Sequence, residues 1–239
     1  MDQIDVRIRI YRPEDFEDVR RIFYDGMAYG PHSVVHYARI SNYKRPLSIL
    51  AYTLLAPAIW LVTQEHYMQS FSGVMLIGCV AVYLTWIFRA TEKCMVGYCE
   101  QSMGDDLFDI VEYYGLVVAE NGKDHMPSGK SCFWVAEIER RVVGCIALDV
   151  STDPNIGELR RMSVSNLYTR RGIGSKLIRT LIDFAEDQKL VSIQLTTSRF
   201  QPDAIRVYLK HGLKVNAVNA DILTIGLTPV HFVTMNLLL

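Results

Sequence analysis

The sequence predicts an α+β fold: a mixed, mostly antiparallel sheet with flanking helices, interrupted by a membrane hairpin. Three observations carry this. Short strand-like apolar stretches recur from residue 131 to the end of the chain. Two amphipathic helical patterns separate some of them, and the order reads as antiparallel pairs with one parallel crossover in a single mixed sheet. Two uncharged apolar runs stand between the first strand-and-helix pattern and everything after it. Of the 239 residues 50% are hydrophobic, and the formal net charge is −1. That balance lacks the basic surplus of a nucleic-acid binder, so nucleic acid is not an expected partner.

DVRIRIYRP, at 5–13, alternates like a strand. PEDFEDVRRIFYDGM reads as a helix: Pro13 suits the first turn, and Phe16, Val19, Ile22 and Phe23 recur at helical spacing. The apolar runs cover 43–63 and 71–88, with the first run's core from about 47. Each is marginally short for the ~20 residues that cross a bilayer, and Pro57 interrupts the first. Neither shows the polar face of a soluble core helix, and Trp60, Tyr83 and Trp86 suit a membrane interface. The linker QEHYMQS holds no Lys or Arg, whereas Arg39, Lys44 and Arg45 precede the runs and Arg89 and Lys93 follow them. Positive flanks stay cytosolic, so both ends of the hairpin lie on that side. A full span and a re-entrant loop both remain open.

Residues 91–118 are mixed and in part helical, and NGKDHMPSGKS reads as a loop. SCFWVAEIE and RRVVGCIALDV are strands about a tight turn at Glu139–Arg141, and IGELRRMSV is a third. A helix runs from about Gly172 to Gln188, with Leu177, Ile178, Leu181, Ile182 and Ala185 on one face. LVSIQLTT is a strand, and PDAIRVYLKHG is a short helix stopped by Gly212. LKVNAV, a segment near 221–226 and PVHFVTMNLLL complete the strands. Residues 1–42 and 91–239 therefore form one domain, into which 43–90 is inserted.

The five cysteines form no C-x-x-C pair and the six histidines no H-E-x-x-H cluster, so no metal and no disulfide framework is expected. The first residues, MDQIDVRIRIYRPED, lack the apolar core of a cleaved signal peptide.

The informative stretch is YTRRGIGSKLI at 168–178. Two arginines and two glycines stand where a helix begins. Helix N-termini carry unpaired N–H groups and partial positive charge, and glycine lets an anion approach the backbone. The stretch therefore suits a phosphate, and it equally suits a plain turn into a helix. The glycine spacing of a Walker A loop or of a Rossmann fingerprint is absent.

The order ELRRMSV, loop, RRGIGSKL, helix, strand, AIRVYLKHGL resembles the GNAT superfamily of acetyl-CoA-dependent N-acetyltransferases. The likeness is strong over 130–239 and weaker over 4–25. Thr169 stands where Gln or Arg is usual in the superfamily motif, and Leu213 replaces the usual aromatic. SCFWVAEIERRVVGCIA and the apolar hairpin are similar to the camello-like, N-acetyltransferase 8 branch, whose members are membrane enzymes of the endoplasmic reticulum and Golgi apparatus.

The resemblance implies a site. The pyrophosphate of acetyl-CoA would meet the N–H groups of Arg171, Gly172, Ile173, Gly174 and Ser175, with charge from Arg170 and Arg171. The pantetheine arm would pair with Met162, Ser163 and Val164. Glu158 matches the usual base and Tyr208 the usual acid; their plain alternatives are a strand-end acid and a core aromatic. Arg160 and Arg161, adjacent on a strand, are expected to face opposite ways, one of them free for a substrate carboxylate. Tyr29, His32 and His36 stand near the start of the hairpin, more as structural than as catalytic groups. The implied partners are acetyl-CoA, an amine acceptor and the lipid bilayer. The rival reading is a GNAT-shaped membrane protein, with catalysis lost, that acts by binding in trafficking or adhesion; Thr169 and Leu213 are its support.

Overall fold

The computed structural model describes residues 5–225 and 228–239. Strand β1 (Arg7–Ile10) leads through a 3₁₀ turn opened by Pro13 into helix α1 (Phe16–Tyr24), which buries Val19, Ile22 and Phe23. A π turn at Asp25–Tyr29 and helix α2 (Val34–Tyr43) follow. The sequence reading has no helix at α2, although Ser33 caps it by accepting from His36 N at 3.1 Å.

Helices α3 (Pro46–Val62) and α4 (Tyr67–Met103) form the hairpin. The chain bends by 58° between the helical stretch ending at Tyr43 and α3. Gly73 lets the two helices meet, since a Cβ there would lie 2.6 Å from Ala58 O. Leu50, Ile59, Trp60, Val74, Val82 and Trp86 are exposed. Helix α4 is long and apolar enough to cross a membrane, and only 17% of its most apolar stretch is buried within the protein. Its C-terminal part does belong to the folded domain, where Met95, Cys99 and Ser102 are buried. The second apolar run and the start of the following region are thus one helix of 37 residues.

After α5 (Ile110–Tyr113), β2 (Leu116–Val118) and β3 (His125–Pro127) make a small antiparallel pair, β2 at the end of the stretch read as mixed and in part helical and β3 inside the one read as loop. The remaining elements are β4 (Cys132–Ile138), β5 (Arg141–Asp153), β6 (Ile156–Val164), α6 (Ile173–Asp187), β7 (Ser192–Ser198), α7 (Pro202–Lys210), β8 (Lys214–Ile225) and β9 (Thr228–Leu238). LKVNAV and the segment near 221–226 are one strand, β8, and residue 226 itself lies outside the described residues.

The main sheet has the order β1-β4-β5-β6-β7-β9-β8. Among the described residues only β6 and β7 are parallel, joined by the crossover through α6. The β4–β5 turn places Glu139 and Arg140 at φ 49° and 64°, the left-handed values of a two-residue hairpin turn. Phe133, Ile146, Leu148, Leu177, Leu181 and Ile193 are fully buried between sheet and helices. Because β1 pairs with β4, sequence on both sides of the hairpin shares one sheet.

Candidate active site

The mouth of α6 is built from backbone. Gly172 precedes the helix at φ 78° and Arg170 stands at φ 61°, both left-handed. Alternating handedness turns successive N–H groups outward in a shallow anion nest. Among the described residues no backbone acceptor meets the N–H of Arg171, Gly172, Ile173, Gly174 or Ser175, and the first amide of α6 so bonded is Lys176 N to Gly172 O at 3.0 Å. Nothing lies within 4 Å of a Cβ placed on Gly172, so its side is open. Arg170 and Arg171 are exposed, and neither meets a carboxylate within 4 Å among the described residues; Arg171 lies over the Tyr168 ring at 5.2 Å.

Strands β6 and β7 pair only over Ile156–Glu158 and Ser192–Gln194, then part. Beyond Glu158 the β7-facing edge of β6 has no strand partner, while its other edge still pairs with β5 at Ser163 and Val164. Gly174 looks into this gap: a Cβ on it would lie 2.9 Å from Met162 Cε, 3.9 Å from Val164 Cγ2 and 4.0 Å from Val207 Cγ1. The structure thus brings Met162, Val164, Gly174 and the residue beside Tyr208 together. Ser163 faces Gly26, its Oγ 3.5 Å from a Cβ there. An open strand edge leading to a row of unpaired amides fits a long amide-bearing arm that ends in a diphosphate.

One expectation is corrected. Arg160 and Arg161 do not face opposite ways. Between Arg160 and Ser163, β6 carries one residue more than β5 does between Ala147 and Cys145, a bulge marked by φ 53° at Arg161. The bulge cancels the alternation, and both guanidinium groups come within 4 Å of Asp106. Arg161 Nε donates to Asp106 Oδ2 at 2.8 Å and Nη1 to Ser102 Oγ at 2.8 Å. Arg160 Nη1 donates to Asp149 Oδ2 at 3.0 Å and to Tyr113 Oη at 2.8 Å. Tyr114 Oη donates to Asp106 Oδ2 at 2.6 Å. Burial opposes the Arg161 charge, but Asp106 outweighs it and holds the guanidinium above its ordinary value. Both arginines are paired with acids, Arg161 buried and Arg160 partly exposed. The sequence reading missed Asp105, Asp106, Tyr113, Tyr114 and Asp149; an adjacent acid pair matching an adjacent arginine pair was the available signal.

Tyr208, on α7, is 5% exposed. Burial raises its proton affinity, so it stays neutral well above its ordinary range. Its hydroxyl makes no hydrogen bond among the described residues. Glu158 is half-buried at the last β6–β7 rung, opposite Gln194 on one side and Asp149 on the other. No hydrogen bond joins Glu158 to Tyr208. Leu213 is buried, so this departure from the superfamily pattern fills the core. Thr169 Oγ1 donates to Asn166 O at 3.4 Å and closes the loop before the nest. Tyr37, next to His36, donates to Asp203 of α7 at 3.0 Å and ties α2 to that helix. Among the described residues no cluster of His, Cys, Asp or Glu suits a metal ion.

The model of the acetyltransferase (GNAT) family matches residues 111–213. N-acetylaspartate synthetase of Xenopus tropicalis is 30% identical over 209 residues, covering 87% of this chain and 69% of the synthetase. N-acetyltransferase 8 of Mus musculus is 30% identical over 234 residues, 95% of this chain and 93% of the relative. The probable N-acetyltransferase camello of Xenopus tropicalis is 28% identical over 218 residues, 89% and 88% of the two chains. Among solved structures, a GCN5-related N-acetyltransferase from Kribbella flavida superposes with a TM-score of 0.52 at 13% identity, covering 98% of each chain. That likeness is one of fold.

Proposed function

Since the chain belongs to the GNAT acetyltransferase family, alongside N-acetyltransferase 8, camello and N-acetylaspartate synthetase, and is an N-acetyltransferase, we propose that it is anchored in a membrane and moves an acetyl group from acetyl-CoA to an amino group. The observation that carries the donor assignment is the parting of β6 from β7 directly beside the unpaired amides of α6.

In this reading acetyl-CoA supplies an activated thioester carbonyl. Amides of Arg171 to Ser175 hold its diphosphate, aided by Arg170 and Arg171. Met162, Ser163 and Val164 offer the free edge of β6 to the pantetheine arm, and an N–H there polarises the carbonyl oxygen. The attacking amine must be neutral, and Glu158 removes its proton directly or through water. Tyr208 returns a proton to the departing sulfur, a role suited to a hydroxyl that burial keeps protonated. The acceptor is an amine. The synthetase's name points to an acidic amino acid in that relative, yet the two arginines that would read a carboxylate here are occupied by Asp106 and Asp149. The proposed location is the endoplasmic reticulum or Golgi membrane, with the site facing the cytosol.

Isothermal titration with acetyl-CoA tests the donor site. The full chain should bind, and Gly172→Asp should abolish binding by placing a carboxylate among the phosphate-facing amides. Equal affinity in wild type and variant would remove the nest from the mechanism. Release of free CoA across a panel of amines then identifies the acceptor. The binding-only reading loses ground because Leu213 is a packing residue and the nest is intact.

A further inference from the structure

A second site stands away from the transfer chemistry, at the foot of the hairpin. A cavity of about 610 Å³ opens there, lined by Lys44, Arg45, Leu47, Tyr83 and Ile87 among others, a size that suits a small-molecule group. Neither Lys44 nor Arg45 meets a carboxylate within 4 Å among the described residues. Arg45 Nε is buried with no acceptor among the described residues. The cavity also takes in Pro46 and Leu47 at the start of α3, where Pro46 has no N–H and, among the described residues, the amides of Leu47 and Ser48 meet no backbone acceptor. Cationic side chains, an unsatisfied buried donor and a helix N-terminus all call for an anion.

Tyr83 also lines a second cavity of about 630 Å³, with Val74, Gly78, Cys79 and Trp86. That cavity is an apolar groove along one face of α4. Nothing lies within 4 Å of a Cβ on Gly78, so the groove floor is open. From Trp86 to Val74 it runs ~18 Å at 1.5 Å per residue, close to the ~15 Å depth of one leaflet. A soluble anion has no use for such a groove, whereas an acyl chain fills it.

We propose that the pocket and groove together bind one anionic phospholipid of the cytosol-facing leaflet. Its phosphate sits against Lys44, Arg45 and the amide end of α3, and one acyl chain lies along α4 over Gly78. The proposal rests on reading α3 and α4 as membrane-inserted. It gives the enzyme a lipid contact at the elbow that joins the hairpin to α2.

The test uses the full chain in phosphatidylcholine vesicles, in a Trp60→Phe background. Trp134 is buried in the soluble core, so Trp86 reports on the groove. Phosphatidylglycerol with brominated acyl chains should quench Trp86 at about thirtyfold lower mole fraction than brominated phosphatidylcholine, the scale expected of two cations near a membrane surface at ~1 kcal/mol each. Neutralising both cations by Lys44→Gln and Arg45→Gln should erase the preference. Gly78→Phe, which meets open space and leaves the charges alone, should lower quenching by both lipids. Arg89→Gln with Lys93→Gln, outside the pocket, should leave the preference intact. Equal quenching by the two lipids, or loss of the preference in the Arg89/Lys93 variant, overturns the site in favour of none or of diffuse charge. Relief of the preference by excess inorganic phosphate reassigns the pocket to a soluble anion and overturns the lipid. A chain that does not float with phosphatidylcholine vesicles refutes the membrane reading itself, a separate result.

Discussion

Tyr208 packs into the core from α7 but keeps an unpaired hydroxyl. Its ring is buried, while its hydroxyl oxygen is not fully enclosed and has no hydrogen-bond partner among the described residues. Its proton is held tightly by burial. Tyr208→Phe should therefore cut kcat more than tenfold, within the ~10²–10⁴ span of general-acid terms, with little change in acetyl-CoA affinity; steady-state rates and titration separate the two. The sign of the pH effect follows. Rate should rise with pH as the acceptor amine loses its proton, and Tyr208 should impose no alkaline fall below its ordinary pKa of about 10. A fall near neutrality that Tyr208→Phe removes would sink the assignment. Arg161 makes a different prediction. Its side chain is 6% exposed and Asp106 is fully buried, so Arg161→Ala removes the nearest cation, leaves Asp106 only Tyr114 and the more distant Arg160, and should cost up to about 3–5 kcal/mol, read as a lowered thermal midpoint. The arginine pair was legible in ELRRMSV, but its direction was not. Strand alternation presumes an unbroken ladder, and β6 breaks its ladder at a bulge whose arginines meet acids 55 positions away, beyond the reach of any local pattern.

At the level of elements, the hairpin is held by close backbone approach. Gly73 has no room for a side chain against Ala58 O and Val62 N, at 2.6 and 2.8 Å. Gly73→Val should force α3 and α4 apart at a cost of about 1–3 kcal/mol. Thermal unfolding in mild detergent should show the loss, while acetyl-CoA affinity should persist because the nest lies on α6. Unchanged unfolding would mean the two helices do not pack as described. Elements with a strong period were readable: IGELRRMSV matches β6 end to end, and the helix expected over Gly172–Gln188 is α6 less its caps. Helix α4 was cut short because composition changes at Arg89 while the backbone does not. There its packing changes from the apolar exterior of the hairpin to the soluble domain, so the apolar pattern stops and the hydrogen-bond ladder continues. Strands β2 and β3 are three residues each and exist only as each other's partner, which leaves no periodic trace.

At the scale of the molecule, the sheet constrains the topology. β1 lies before the hairpin and β4 after it, and they pair from Arg7 with Glu137 to Ile10 with Trp134. Both flanks must therefore occupy one compartment, whichever way the hairpin goes. The sequence supplied the sign, through its basic flanks, and the sheet supplies the necessity. Length then bears on how deep the hairpin goes. Helix α3 has 17 residues, ~26 Å at 1.5 Å each. That falls short of a ~30 Å hydrocarbon core but matches the ~27 Å of a thin endoplasmic-reticulum bilayer. The apolar part of α4, from Tyr67 to Phe88, is longer and can tilt to fit. The two helices should thus cross fully in that membrane, with the connection at 63–66 on the lumenal side. In sealed microsomes, added protease should digest a C-terminal tag without detergent. A cysteine at Glu65 should react with an impermeant maleimide only after the lumen is opened. Protection of the tag would invert the orientation, and labelling of Glu65→Cys in intact vesicles would mean that the loop dips into the bilayer and returns.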